Sequence, residues 1–203
     1  MPGYTRILAC AALVFIFSAC QSNLEPVEAR NDYGQMERYT RRKTDFAREG
    51  LYQRFHEKGY LLEEAHFVND TLDGVRTFYY PDGHIERISH YRRGVVHGPS
   101  KQYYENGRLG LEQTYVACVL EGLSKAWYST GALKEEVLLR DNEENGPFRE
   151  WYPNGRLKAE GQYVGGDNED GALKLYDTLG QLERVLQCQK GICQTTWVKP
   201  GLE

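Results

Sequence analysis

The sequence predicts an all-β protein, an elongated antiparallel β-meander built from six tandem 24-residue β-hairpin repeats. Three observations predict it. A leading glycine recurs at Gly50, Gly74, Gly98, Gly122 and Gly146, each 24 residues after the last, then at Gly171 after 25. A period of this length marks a repeat architecture. A second glycine follows at Gly59, Gly83, Gly107, Gly131, Gly155 and Gly180, behind turn-forming pairs such as Pro81-Asp82 and Glu105-Asn106. Asp-Gly and Asn-Gly between strand-like runs are the strongest short hairpin signal, because glycine takes positive φ cheaply. Between the glycines the apolar alternation has period two, and glycines this frequent would cost a helix about 1 kcal/mol each.

In chain order, residues 1–19 read as a lipoprotein signal peptide. Arg6 supplies a positive n-region, and Ile7 to Phe17 is an apolar run too short to span a bilayer as a stable helix. Phe17-Ser18-Ala19-Cys20 resembles the lipobox of bacterial lipoproteins, although that motif usually has Leu where Phe17 stands. The resemblance implies that Cys20 is lipidated and becomes the mature N-terminus, anchored by about 0.8 kcal/mol per buried methylene. Gln21, where Asp would favour inner-membrane retention, points to the outer membrane facing the periplasm. The other reading is an ordinary cleaved signal with an incidental cysteine. Residues 20–46 contain Pro26, Asn31, Gly34 and the basic run Arg41-Arg42-Lys43 without sustained apolar periodicity, and read as a lipidated N-terminus and flexible tether.

Residues 47–191 form the repeat domain. An aromatic occupies the fifth place after each leading glycine: Phe55, Tyr79, Tyr103, Trp127, Trp151 and Tyr176. The returning strand opens with Leu61, Ile85, Leu109, Leu133, Leu157 and Leu182. Pairing across a three-residue loop sets Tyr80 opposite His84 and Tyr79 opposite Ile85. Alternation then puts the fifth-position aromatics and these aliphatics on one face. It puts Tyr80, Tyr104, Tyr128 and Tyr152 on the other, with Glu64, Glu112, Glu136 and Glu160. The cadence slips once, near Gly165–Asp170, as a loop insertion. Residues 192–203 are expected to form a capping strand and tail. Whether the sheet stays one layer or curls closed is open at this point.

Five cysteines are present. Cys188 and Cys193 bracket a glycine turn, so a disulfide across a terminal hairpin suits an oxidising compartment. Cys118 is expected to be a buried small apolar residue.

At Tyr79-Tyr80-Pro81-Asp82-Gly83, Tyr103-Tyr104-Glu105-Asn106-Gly107 and Trp151-Tyr152-Pro153-Asn154-Gly155-Arg156-Leu157-Lys158 the chain resembles the MORN-repeat-variant family, which includes the YwqK-type antitoxin-like proteins. The resemblance implies hairpins stacked into a long antiparallel sheet and a role in protein contact, with no catalytic residue set to carry over. The end repeats depart from it, with His56-Glu57-Lys58 in the first and Asp177-Thr178-Leu179 in the sixth.

Composition narrows the function. The chain has net charge −4, and removing Arg6 with the signal leaves 24 basic against 29 acidic residues, about −5. No basic patch emerges, which argues against nucleic acid. The histidines are His56, His66, His84, His90 and His97; His66 and His90 sit a repeat apart, roughly 10 Å, too far to share a metal. The glutamates recurring by whole repeats are equally too distant for the roughly 5–9.5 Å of paired catalytic carboxylates. No enzyme, cofactor or metal is expected. Tyr and Trp are preferred interface anchors. Tyr79, Tyr80, Tyr103, Tyr104, Trp127, Tyr128, Trp151 and Tyr152 are therefore the candidate partner-binding residues. The expected function is that of a lipid-anchored, non-enzymatic protein binding a protein partner, an antitoxin or immunity protein neutralising a toxin at the cell envelope. The alternative is an envelope scaffold or lipid-associated structural protein without a toxin.

Overall fold

The computed structural model describes residues 23–202; the signal peptide and Cys20 lie outside the described residues. The strands are β1 (Leu24–Arg30), β2 (Met36–Arg42), β3 (Arg48–Phe55), β4 (Leu61–Val68), β5 (Thr71–Tyr79), β6 (Ile85–Arg92), β7 (Val95–Tyr103) and β8 (Leu109–Val116). They continue with β9 (Val119–Leu120), β10 (Gly122–Trp127), β11 (Leu133–Arg140), β12 (Glu143–Trp151), β13 (Leu157–Tyr163), β14 (Gly171–Tyr176), β15 (Leu182–Gln189) and β16 (Ile192–Val198). All belong to one antiparallel sheet in which each strand pairs with the next, except that β8 pairs with both β9 and β10. The sheet is an open meander: β1 and β16 are its two edges and do not meet.

Two turn types alternate. Within a repeat, as between β5 and β6, the Tyr80 N–H donates to the His84 carbonyl at 2.8 Å and the Gly83 N–H to the Tyr80 carbonyl at 2.9 Å. Gly83 has φ +89°, where an L side chain would be strained. Between repeats five turns have two residues, both at positive φ, Asn69-Asp70, Arg93-Gly94, Ala117-Cys118, Asp141-Asn142 and Lys190-Gly191, whereas the connections from β2 to β3 and from β13 to β14 are longer. Such mirror-image turns match the right-handed twist of the strands they join.

Three expectations are corrected. The tether is structured from Leu24 to Arg42, because β1 and β2 form a further hairpin in full register with one another, and β2 pairs onward with β3. Its turn repeats the later ones: the Asn31 N–H donates to Gln35 O at 3.0 Å and the Gly34 N–H to Asn31 O at 2.9 Å. Ion pairs fill this hairpin where apolar residues fill others, Arg41 with Glu25 at 2.8 Å and Arg38 with Glu28 at 2.9 Å, which hides it from an apolar-periodicity reading.

The faces of the glutamates are also reversed. Tyr79 does pair with Ile85, but Phe78 pairs with Arg87, leaving Glu86 as the extra residue of a bulge. The same bulge recurs in β3–β4, β7–β8, β10–β11, β12–β13 and β14–β15. A one-residue slip moves every later side chain to the other face. Glu64 and Glu160 therefore join the fifth-position aromatics, accepting hydrogen bonds from the Tyr79 hydroxyl at 2.6 Å and the Tyr176 hydroxyl at 2.9 Å.

Cys118, finally, is exposed and unpaired with another cysteine, at φ +70° in a two-residue turn. The turn points its side chain outward whatever its polarity.

Candidate functional site

The pairing registers assign side chains to two faces. One, the ladder face, carries the fifth-position aromatics and a row that crosses the sheet through Lys101, Glu112, Lys125, Glu136, Arg149 and Glu160. This row satisfies itself, with Lys101–Glu112 at 3.1 Å, Lys125–Glu136 at 2.8 Å and Lys174–Glu160 at 3.0 Å. Tyr79 is drawn into the same network, and burial, then its bond to Glu64, pushes its hydroxyl up to about 12. Opposite charges directly across a pair of strands stabilise the sheet by a few tenths of a kcal/mol, roughly. From β7 to β13 the ladder face thus repeats one structural solution, a Lys or Arg opposite a Glu, where β3–β4 has Gln53 opposite Glu64 and β5–β6 has Thr77 opposite Ile88.

The other, the core face, carries the buried side chains of the strands, among them Tyr52, Glu63, Ala65, Ser89, Ser124, Val137, Phe148 and Ala159. Its central row changes from repeat to repeat, from Tyr52 and Ala65 through Arg76, Ser89, Ser100, Gln113 and Ser124 to Val137 and Phe148. Three zones result. The first, around β3–β6, is arginine and aromatic. The middle is hydroxyl and amide, with Ser89 and Ser100 hydroxyls 3.2 Å apart and the Gln113 amide donating to the Ser124 hydroxyl at 3.3 Å. The last is an apolar cluster of Val137, Leu139, Phe148 and Ala159, with Phe148 stacked on Tyr163 at 4.1 Å between centroids.

In the first zone the Glu63 carboxylate is buried and held by two arginines, Arg54 at 2.6 Å and Arg76 at 2.7 Å. Burial works to lower the Arg76 guanidinium, but the Glu63 hydrogen bond and charge outweigh it and hold the group above its ordinary value. Arg76 and Arg87 both lie over the Phe78 ring, each 4.6 Å from its centroid. A groove of about 610 Å³ is lined by Arg48, Tyr52, Arg54, Glu63, Phe67 and Arg76, among others. A second of about 250 Å³ begins at Arg87 and runs past Ser89, Tyr91, Ser100 and Gln113 to Tyr115.

The sequence-derived candidates divide between the faces and do not form one patch. Tyr79, Tyr103, Trp127 and Trp151 lie on the ladder face. Tyr80, Tyr104, Tyr128 and Tyr152 stitch successive repeats: their hydroxyls donate to the carbonyls of Tyr103, Trp127, Trp151 and Tyr176 at 2.8, 2.7, 2.9 and 2.9 Å. Cys188 and Cys193 are joined in a disulfide across the β15–β16 hairpin. His66 and His90 each place Nδ1 on a main-chain carbonyl, of Asp73 at 3.1 Å and of Pro99 at 2.8 Å. Among the described residues no group of three or more His, Cys, Asp or Glu is placed to hold a metal. Sequence reasoning missed Arg54, Glu63, Phe78 and Arg87. Recognising the bulge would have found them, since it is the bulge that brings Glu63 and Arg87 onto the face of Arg76.

Comparison with known proteins bears on the repeat itself. The model of the MORN repeat variant matches residues 48–69, 72–93, 96–117 and 144–164. Four segments of this chain are thus similar to the MORN repeat variant. The hairpins β10–β11 and β14–β15, which fall outside the matched segments, keep the same bulge and the same glycine turn. No curated protein matches the chain.

Proposed function

We propose that this chain is a lipid-anchored, non-enzymatic binding protein of the cell envelope that engages a protein partner through its core face, as an antitoxin or immunity protein neutralises a toxin. The observation that carries the reading is the contrast between the faces. From β7 to β13 the ladder face spends its polar groups on one another in the same charge pairs, whereas the core face differs at each repeat. Specificity requires differences, and MORN-variant repeats supply a scaffold on which such differences can be displayed. The anchor at Cys20 rests on the lipobox resemblance of Phe17-Ser18-Ala19-Cys20.

Co-expression with the product of the adjacent gene tests the partner. Complex formation and protection from that product's toxicity are expected, and neither appearing would refute the antitoxin role. Labelling with palmitate tests the anchor, since Cys20→Ser must abolish incorporation.

A further inference from the structure

Building on the partner-binding reading, we propose that the arginine–aromatic zone of the core face, centred on Arg54, Arg76 and Arg87, binds an acidic extended segment of a protein partner. Charge gives the sign. In the first groove Arg48, Arg54 and Arg76 face Glu37, Glu63 and Asp70; Glu63 accepts from Arg54 and Arg76, and Asp70 from Arg48. Arg87 stands on the Phe78 ring, has no carboxylate partner among the described residues, and is the one charged residue lining the second groove. Over the two grooves four arginines meet three carboxylates, and this excess of one cation, carried by Arg87, sits in a chain whose net charge is −4, so it is not the background of a basic protein.

Composition gives the kind of partner. The two grooves, which meet where Arg76 and Arg87 lie over the Phe78 ring, include four arginines, four tyrosines and Phe67 in their linings beside Glu37, Glu63, Asp70 and neutral polar side chains, and no lysine lines either. Protein interfaces are enriched in Arg, Tyr and Phe and depleted in lysine. The ladder face shows the opposite choice, taking Lys101, Lys125 and Lys174 for its internal pairs. Guanidinium also suits carboxylate recognition, because its planar fork can meet both oxygens.

Geometry gives the shape. Arg54 and Arg76 are tethered by Glu63, and Arg76 and Arg87 are pinned to one ring, so much of their side-chain freedom is lost before any ligand arrives. Beyond Arg87 the groove continues over Ser89, Ser100 and Gln113, whose hydroxyl and amide groups can pair with an extended main chain. The Arg54 and Arg76 side chains are only 26% and 31% exposed. A narrow segment can reach guanidinium groups recessed in this way; the flat surface of an anionic bilayer cannot.

Fluorescence anisotropy with the full chain and a labelled peptide alternating glutamate with valine tests the proposal, against a matched lysine–valine peptide. Binding of the acidic peptide alone is expected, with Arg87→Glu weakening it at least about tenfold and Arg87→Lys weakening it less. Lys125→Glu, the same charge change on the ladder face, should leave it unchanged. No binding of the acidic peptide, or equal loss in Lys125→Glu and Arg87→Glu, overturns the proposal. So does an Arg87-dependent affinity for phosphatidylglycerol vesicles that exceeds the affinity for the peptide. If the adjacent gene product forms a complex that Arg87→Glu leaves intact, this site fails while the partner-binding reading stands. If no partner forms a complex but the peptide binds through Arg87, the converse holds.

Discussion

The hydroxyl of Tyr104 shows how a single atom ties one repeat to the next. The Trp127 carbonyl lies one residue beyond the last β8–β10 pair, Ala126 with Leu111, and the Tyr104 O–H, 2.7 Å away, donates to it. A net hydrogen bond of this kind contributes about 0.5–1.5 kcal/mol, and an acceptor left without one loses more than the bond. Tyr104→Phe is therefore expected to destabilise the protein by about 1 kcal/mol, read as a lower denaturant midpoint with an unchanged slope. A midpoint equal to wild type would show that water satisfies the carbonyl as well. The acidic pair of the core face works in the other direction. Glu135 and Glu150 are directly opposite on β11 and β12. Burial, then the Glu150 charge, raises the Glu135 carboxyl above its ordinary value. A carboxyl whose pKa is raised by folding binds its proton more tightly folded than unfolded. The penalty is accordingly absent below the unfolded value and grows as pH rises through the folded one. Glu135→Gln should raise stability at pH 7 by about 0.5 kcal/mol, a figure kept small because the pair is partly exposed. The gain should vanish at a pH well below the ordinary carboxylate range, and a gain that persists there would contradict the electrostatic cause.

At the scale of the hairpin, turn chemistry decides where a repeat can be improved. Ala117 and Cys118 hold φ values of +49° and +70°, in positions where other repeats place Arg93-Gly94 or Lys190-Gly191. Positive φ costs an ordinary L-residue about 1–2 kcal/mol, and Asn-Gly is the preferred pair for a two-residue turn of this hand. Replacing Ala117→Asn together with Cys118→Gly is expected to stabilise the protein by about 1 kcal/mol or more, measured as a rise in Tm. No rise would mean the turn is not strained. The same element explains what is legible in the sequence. Gly83 and its equivalents announce the hairpins because only glycine sits easily at their φ. The bulge has no residue signature of its own. Its extra residues, Leu62, Glu86, Gly110, Lys134, Lys158 and Glu183, share no chemistry. Sequence alone therefore places Glu64 on the wrong face. The first hairpin is hidden because Glu25, Glu28, Arg38 and Arg41 pair by charge, although Gly34 lies 25 residues before Gly59.

Over the whole molecule, the packing is close to one-dimensional. Substantial contact is confined to strands that neighbour one another in the sheet. In such arrays stability is approximately a sum of repeat and nearest-neighbour contributions. The period then makes a whole repeat removable. Deleting residues 95–118 joins Gly94 to Val119, so that Val119-Leu120-Glu121-Gly122 follows the Arg93-Gly94 turn in place of Val95-Val96-His97-Gly98. β6 would then meet β10, with Ser89 opposite Ser124 where it now meets Ser100, and Ile88 opposite Lys125 where it now meets Lys101. The Tyr80 hydroxyl would find the Trp127 carbonyl where it now finds that of Tyr103. Every substituted partner has the same residue type or the same geometry, so the shortened chain is expected to fold and unfold cooperatively. Its long dimension in small-angle scattering should fall by roughly 10 Å, the width of two strands. Its denaturant slope should fall with the surface removed. A chain that instead loses its fold would show that the ends of the sheet depend on each other across the deleted repeat, and that its stability is not a sum of local parts.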